Sequence, residues 1–252
     1  MRRRVHPVLL EGLRIDRRMK KEKIVILSDQ RRPHKGGAIF AVTHIGGNDV
    51  ERAFEVIGEH AYIMLGDPGI FYKSFDGLFM QANGWVPVDT RDSVDRQIAY
   101  RQSLELLKRG DNLLIFPEGA YNVFENLPVM HLFPGAVKLA KETGCDIIPV
   151  ALEQYDNVFY ARIGKNMRIP EKVDYKRANR VLRDALATLK WQIWETKGLH
   201  KRESFSKEYA ENYRESVVNK VVHKGYSYTL QDVYETMYHV DWRLDNTTTG
   251  TR

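Results

Sequence analysis

The residue types best suited to chemistry gather in two short segments. Thr43-His44-Ile45-Gly46-Gly47-Asn48-Asp49 sets a histidine and an aspartate with four residues between them. Two glycines permit a reversal tight enough to bring the Asp49 carboxylate back onto the His44 ring. A carboxylate on one ring nitrogen fixes the tautomer, stabilises the imidazolium and leaves the other nitrogen as a general base. The same residues admit a plainer reading: Asn48 as an N-cap, Glu51 completing a capping box, and His44 a strand-end residue. Phe116-Pro117-Glu118-Gly119 brings a second carboxylate, and Gly119 lets a ligand approach the backbone closely. Proline followed two residues later by glycine is also ordinary turn chemistry. Two further segments, Gly84 to Arg91 and Asp146 to Val150, read more simply as strands than as sites.

Such side chains need strand ends to hold them. Short apolar runs bounded by turn residues predict strands over 24–27, 38–43, 62–65, 85–88, 113–116 and 147–152. Amphipathic stretches between them predict helices over 50–59, 73–82, 93–109 and 135–143. In the third, Ile98, Ala99, Leu104 and Leu107 are read as the buried face, with Arg, Gln and Lys on the solvated one. This alternation predicts an α/β domain with a largely parallel central sheet flanked by helices. Ligands of such sheets bind beyond the carboxyl ends of the strands, where both motifs fall. The chain divides into a basic leader (1–22), the α/β domain (23–165) and a helical C-terminal extension packed on it (166–252). Leu182, Leu186, Leu189 and Ile193 share one face of a helix over 177–194, further helices are expected over 206–222 and 230–238, and 246–252 reads as frayed.

Composition narrows the class. With 252 residues, 43% hydrophobic and 29% charged, the chain has the balance of a folded protein. It contains no apolar run long enough for a membrane span. Its Met1-Arg2-Arg3-Arg4 start is followed by no signal-peptide core. A single cysteine, Cys145, suits a reducing compartment, so a cytoplasmic location is expected. Lys and Arg total 39 against 33 Asp and Glu, a net +6. Residues 1–36 carry 12 basic and 4 acidic side chains, a bias that favours an anionic partner, phospholipid or nucleic acid. No nucleic-acid motif accompanies the basic residues, and aromatics are not interleaved with them. A merely solvated leader fits the same charges.

The order and spacing of the four segments resemble the motifs of the glycerolipid and lysophospholipid acyltransferase superfamily. His44 and Asp49 match its His-x4-Asp, Phe116 to Gly119 its Phe-Pro-Glu-Gly, and Ile147-Ile148-Pro149-Val150 its apolar-Pro-Val strand. The resemblance runs over about half the chain. It implies transfer of a fatty acyl group from acyl-CoA or acyl carrier protein to the hydroxyl of a glycerolipid-type acceptor such as lysophosphatidate, with no metal or other cofactor. His44 would deprotonate the acceptor, Asp49 would orient and stabilise it, and Glu118 and Gly119 would position the acceptor. Backbone amides of Gly46 and Gly47 are candidates for holding the oxyanion.

The departures concern the acceptor. Tyr121 stands where the family's third motif carries arginine, Thr90 where its second motif does, with Arg91 one position late. A lysine common between the first two motifs has no counterpart in Met64-Leu65-Gly66-Asp67. Loss of arginine forfeits bidentate bonds to phosphate. Lys73, Arg91 and Tyr121 are the proposed replacements, and a non-phosphate acceptor stays open. The hydrophobic amino-terminal helices of many relatives are missing, so the basic leader is expected to give peripheral attachment at the inner face of the cell membrane. Two rivals remain. A His/Asp pair can activate water, making a thioesterase, although no Gly-x-Ser-x-Gly elbow is present and Cys145 enters a buried strand as structural thiols do. The non-enzymatic rival binds anionic lipid or nucleic acid, a role with no use for the His44/Asp49 pair.

Overall fold

The computed structural model describes residues 2–66, 75–89, 92–124 and 127–197, with Glu211, Asn212, Arg214, Glu215, Val217 and Gln231. In chain order its elements are α1 (Arg2–Met19), β1 (Lys23–Asp29), β2 (Ala38–Val42), α2 (Asp49–Ile57), β3 (Ala61–Leu65), α3 (Phe75–Asn83), β4 (Trp85–Pro87), α4 (Ser93–Lys108), β5 (Asn112–Ile115), α5 (Gly135–Thr143), β6 (Asp146–Tyr155), β7 (Val158–Ile163) and α6 (Tyr175–Lys197). The strands form one sheet in the order β1-β7-β6-β2-β5-β3-β4. Every pairing is parallel except that of β6 with β7.

Central strands covered on both faces must be apolar throughout, and all five residues of β2 are buried. Successive side chains point to opposite faces. Phe40 and Val42 thus enter a core with Ala53 and Phe54 of α2 and with Leu10 and Leu13 of α1. Ile39 and Ala41 enter another with Val137 and Ala140 of α5 and with Leu182 and Leu186 of α6. β2 therefore feeds a helix on one face while its neighbour β5 leads to a helix on the other. Adjacent strands whose connections leave on opposite faces open a crevice at their carboxyl ends, and His44 and Phe116 follow those two ends.

Three features depart from the sequence reading. The leader is α1, which buries His6, Leu10 and Leu13 against α2 and α3 even though Pro7 lies within it. Arg52 of α2, fully buried, ties it down by pairing with Asp16 at 2.9 Å and with Glu22, just past its end, at 2.7 Å, while Glu55 of α2 itself pairs with the same guanidinium at 2.7 Å. A seventh strand, β7, returns from β6 through Asp156-Asn157, with Asp156 at φ 51°. On α4 the buried line is Ala99, Ser103, Leu106 and Leu107, a four- and three-residue spacing that leaves Ile98 48% exposed. On α6 the expected face is buried, at Leu182, Leu186, Leu189 and Ile193. Apart from the six isolated residues named above, the helices expected over 206–222 and 230–238 and the frayed end lie outside the described residues. Among the described residues no helix is long and apolar enough to cross a membrane.

Candidate active site

β2 delivers the first motif to the crevice and β6 fixes its position. The Thr43 N–H donates to the Val150 carbonyl at 3.0 Å, and the Thr43 hydroxyl accepts from the Leu152 N–H at 2.9 Å. Gly46 at φ 80° and Gly47 at φ 67° then reverse the chain through a region that glycine enters without steric penalty. The reversal places Asp49 at the first turn of α2 with its side chain turned back. Its Oδ2 accepts from His44 Nδ1 at 2.8 Å, from the Ile45 N–H at 2.7 Å and from the Gly46 N–H at 2.8 Å. Burial opposes ionisation of Asp49, but His44 and the two amides outweigh it and hold the carboxyl below the usual carboxylate range. With Nδ1 donating, the neutral ring has its lone pair on Nε2, which makes no hydrogen bond among the described residues. Asn48 makes no capping bond; its side chain donates to Glu22 and accepts from Lys20.

The third motif braces the first. Glu118 Oε1 accepts from the His44 N–H at 3.0 Å, and Oε2 accepts from the Met130 N–H at 2.8 Å. The Asn122 N–H donates to the His44 carbonyl at 2.8 Å. Both Glu118 oxygens are therefore engaged by backbone, a geometry different from the acceptor-gripping one expected. Burial raises the Glu118 pKa, and the two amides only partly offset it. Gly119 sits at φ 69°, where a Cβ would overlap the Phe133 ring, so no larger side chain fits without displacing Phe133. The His44 ring lies 4.1 Å from the Phe116 ring, nearly parallel to it, and 4.2 Å from that of Tyr121.

A cavity of about 600 Å³ opens beside this arrangement, within the range of small-ligand sites. Its walls are mostly apolar, with Met64, Leu65, Ile115, Phe116 and Phe133, and His44 and Gly119 both face it. Of the residues singled out in the sequence, Asp49 and Glu118 stand behind His44, while Tyr121 packs on its ring. The Gly46 amide is already bound to Asp49, and neither Gly46 nor Gly47 lines the cavity. Lys73 and Arg91 lie outside the described residues. Sequence reasoning missed Arg96 and Arg101 of α4 and Lys138 of α5, which also line the cavity. The α4 arginines lie on the solvated face expected of them and are exposed. Cys145 precedes β6 at the amino ends of the strands, about 20 Å from His44 at ~3.3 Å per strand residue, and burial raises the pKa of its thiol.

Comparison with known proteins agrees with this architecture. The structure is similar to the crystal structure of the 1-acyl-sn-glycerophosphate (LPA) acyltransferase PlsC from Thermotoga maritima, with a TM-score of 0.63, 14% identity and coverage of 82% of this chain and 83% of that one. The sequence is 25% identical over 141 residues to the 1-acyl-sn-glycerol-3-phosphate acyltransferase of Borreliella burgdorferi, covering 56% of this chain and 55% of that protein. The chain thus spans about half the length of this curated relative. Residues 23–153 match the Acyltransferase family, a stretch that runs from β1 into β6 and holds His44, Asp49, Glu118 and Gly119, and the chain belongs to that family.

Proposed function

We propose that the chain transfers a fatty acyl group from a thioester, acyl-CoA or acyl carrier protein, to the hydroxyl of a glycerolipid-type acceptor such as lysophosphatidate. The observation that carries this is the buried His44–Asp49 pair, whose unbonded Nε2 faces an apolar cavity. Nε2 takes the hydroxyl proton as the acceptor oxygen attacks the thioester carbonyl. Collapse of the tetrahedral intermediate breaks the carbon–sulfur bond, and the imidazolium returns the proton to the leaving sulfur. Asp49 stabilises that imidazolium and fixes the tautomer. The thioester is already activated, so the mechanism invokes no cofactor. Glu118 acts by holding the His44 backbone, Tyr121 by packing on the ring, and Gly119 by letting Phe133 close on the turn. Of the two amides named for the oxyanion, that of Gly46 is engaged by Asp49, and neither glycine lines the cavity. Lys73 and Arg91 remain proposed acceptor contacts, and the name of the Borreliella relative supports a lysophosphatidate acceptor. The exposed face of α1, with Val8, Ile15 and Met19 beside arginines, supports peripheral attachment at the cytoplasmic face of an anionic membrane.

The test is thiol release from a long-chain acyl-CoA by wild type and His44→Ala, with lysophosphatidate, with monoacylglycerol and with no acceptor. Release that needs an acceptor and is lost in His44→Ala supports the reading. Acceptor-independent release would make the protein a thioesterase, and an active His44→Ala would remove the proposed base.

A further inference from the structure

Helix α6 carries a charge where its pattern calls for an apolar side chain. Lys190 lies four residues after Leu186 and three before Ile193, on the face that packs against the sheet, and its side chain is 3% exposed. It is paired with Glu153 of β6. Nζ stands 3.0 Å from Oε2, which also accepts from the Trp194 Nε1–H at 2.8 Å, while Oε1 accepts from the Gln154 N–H at 3.0 Å. A buried ion pair is often no more stabilising than apolar side chains of similar volume, so stability is a weak reason for this one. Its other interactions lead to the active site by two routes. Nζ donates to the Leu152 carbonyl at 2.5 Å, and that carbonyl also accepts from the hydroxyl of Thr43, the residue before His44, at 3.3 Å. The charge of Lys190 also reaches Glu118, the carboxylate that accepts the His44 N–H.

We propose that Lys190 is a positioning residue for His44: held by Glu153, it ties the Leu152 carbonyl and Thr43 to α6 and keeps a positive charge near the carboxylate that braces the His44 turn. The inference rests on the acyl-transfer reading, which makes His44 the base. The charged groups that act on Glu118 are Lys190 from α6 and His44 from the end of β2, with Glu153 and Asp49 paired behind them. The Glu118 oxygens themselves meet the His44 and Met130 amides. Burial pushes its pKa up, and these amides and charges pull it part of the way back. Ionised, Glu118 accepts at both oxygens. Protonated, one oxygen becomes an O–H donor facing an amide donor, and the brace on the His44 backbone is lost. A nearby cation favours the ionised form, so loss of Lys190 moves protonation of Glu118 to higher pH.

The experiment compares wild type with K190M, as the full chain, by two readouts. Turnover (kcat and KM) is measured with palmitoyl-CoA and 1-oleoyl-glycerol 3-phosphate. The Glu118 carboxyl is titrated by carbon NMR of glutamate-labelled protein, its signal assigned with E118Q. K190M is expected to lower kcat by about tenfold or more while KM stays within about twofold. The Glu118 titration is expected to move to higher pH by about half a pH unit or more. A wild-type kcat in K190M, or a lower kcat with an unmoved titration, overturns the proposal; the second is what a pair serving only the fold would give. If K190M melts below wild type, K190M/E153Q is read in its place, since it buries no lone carboxylate. It must show the same two changes, and recovery of wild-type kcat in it would reduce Lys190 to a counter-ion for Glu153 and sink the proposal. If wild type releases no thiol, the acyl-transfer reading falls, whereas a moved titration still places Lys190 in control of the His44 turn. If release needs no acceptor, that reading gives way to hydrolysis, and the same two changes are expected of that reaction. Acceptor-dependent turnover with an unmoved titration leaves the reading standing and removes Lys190 alone.

Discussion

Three hydrogen bonds converge on one oxygen of Asp49, and an amide there could accept only by turning its NH2 group toward solvent-free space or toward donors. Asp49→Asn should therefore leave the fold intact and lower kcat by about 10⁴, as when a triad aspartate becomes asparagine and the wrong tautomer is held. The check is kcat alongside the near-ultraviolet circular dichroism spectrum, and a fall of less than about tenfold would detach Asp49 from the base. Glu118 separates two roles. Because its oxygens hold the His44 and Met130 amides, Glu118→Gln leaves one buried donor facing an NH2 group, at a cost of about 1–3 kcal/mol. That cost should appear as a lower kcat with KM nearly unchanged; a raised KM with kcat preserved would return Glu118 to the acceptor. His44 and Asp49 were legible in the sequence because their pairing is local, five positions apart around two glycines. The engagement of Glu118 was not, since it joins residues 44, 118 and 130, which only the sheet brings together.

Helix α1 is held by a pair of histidines whose protonation would loosen it. His6 Nδ1 lies 2.9 Å from Asn83 Oδ1, and the Asn83 amide donates to the Ala61 carbonyl, so Nδ1 carries the proton. His60 Nε2 donates to the Asn83 carbonyl at 2.8 Å. The remaining nitrogens, His6 Nε2 and His60 Nδ1, are buried without partners, and the rings meet edge to face at 5.4 Å. Burial, above all, holds both groups below the ordinary histidine value; Arg3 reinforces this at His60 and Asp111 opposes it. A lowered folded-state pKa means the unfolded form binds protons first. Docking of α1 is then at full strength above about pH 6.5 and weakens as pH falls through that value. Hydrogen exchange of α1 amides, corrected for intrinsic rates, should show less protection at pH 5.5 than at pH 7.5, and His6→Gln/His60→Gln should flatten the difference. Equal protection of wild type at both pH values would refute the linkage. The helix itself escaped the sequence reading because Pro7 and dense charge mask the His6, Leu10 and Leu13 spacing. Strand β7 is hidden for another reason: Asp156-Asn157 is a weaker hairpin signal than Asn-Gly or Asp-Gly, and a parallel sheet continues through helices rather than hairpins.

Folding redistributes the basic charge that the leader carries as sequence. Arg3 pairs with Asp111 and Arg17 with Glu55, so carboxylates of the α/β domain cancel part of the amino-terminal excess. Composition alone therefore overstates the field that this end presents to an anionic surface. It also hides an apolar feature, because which side of α1 faces outward depends on which side is buried. Val8, Ile15 and Met19 are 72%, 50% and 78% exposed, and at 100° per residue they form one stripe opposite His6, Leu10 and Leu13. Arg4 and Arg18 flank it, both exposed, with Arg18 3.6 Å from Glu11. The two contributions to membrane attachment can be separated by salt. Each arginine near an anionic leaflet is worth about 1 kcal/mol and is screened by ions, whereas each apolar side chain that leaves water contributes roughly 1.5–3 kcal/mol that salt does not weaken. Cosedimentation with vesicles rich in anionic lipid should accordingly fall only in part between low and high salt. Arg4→Gln/Arg18→Gln should remove the salt-sensitive part, and Val8→Asp/Met19→Asp should abolish binding at both salt concentrations while leaving the buried side of α1 untouched. Binding that survives Val8→Asp/Met19→Asp unchanged would mean that the outer face of α1 does not enter the membrane and that attachment, if present, is made by another surface.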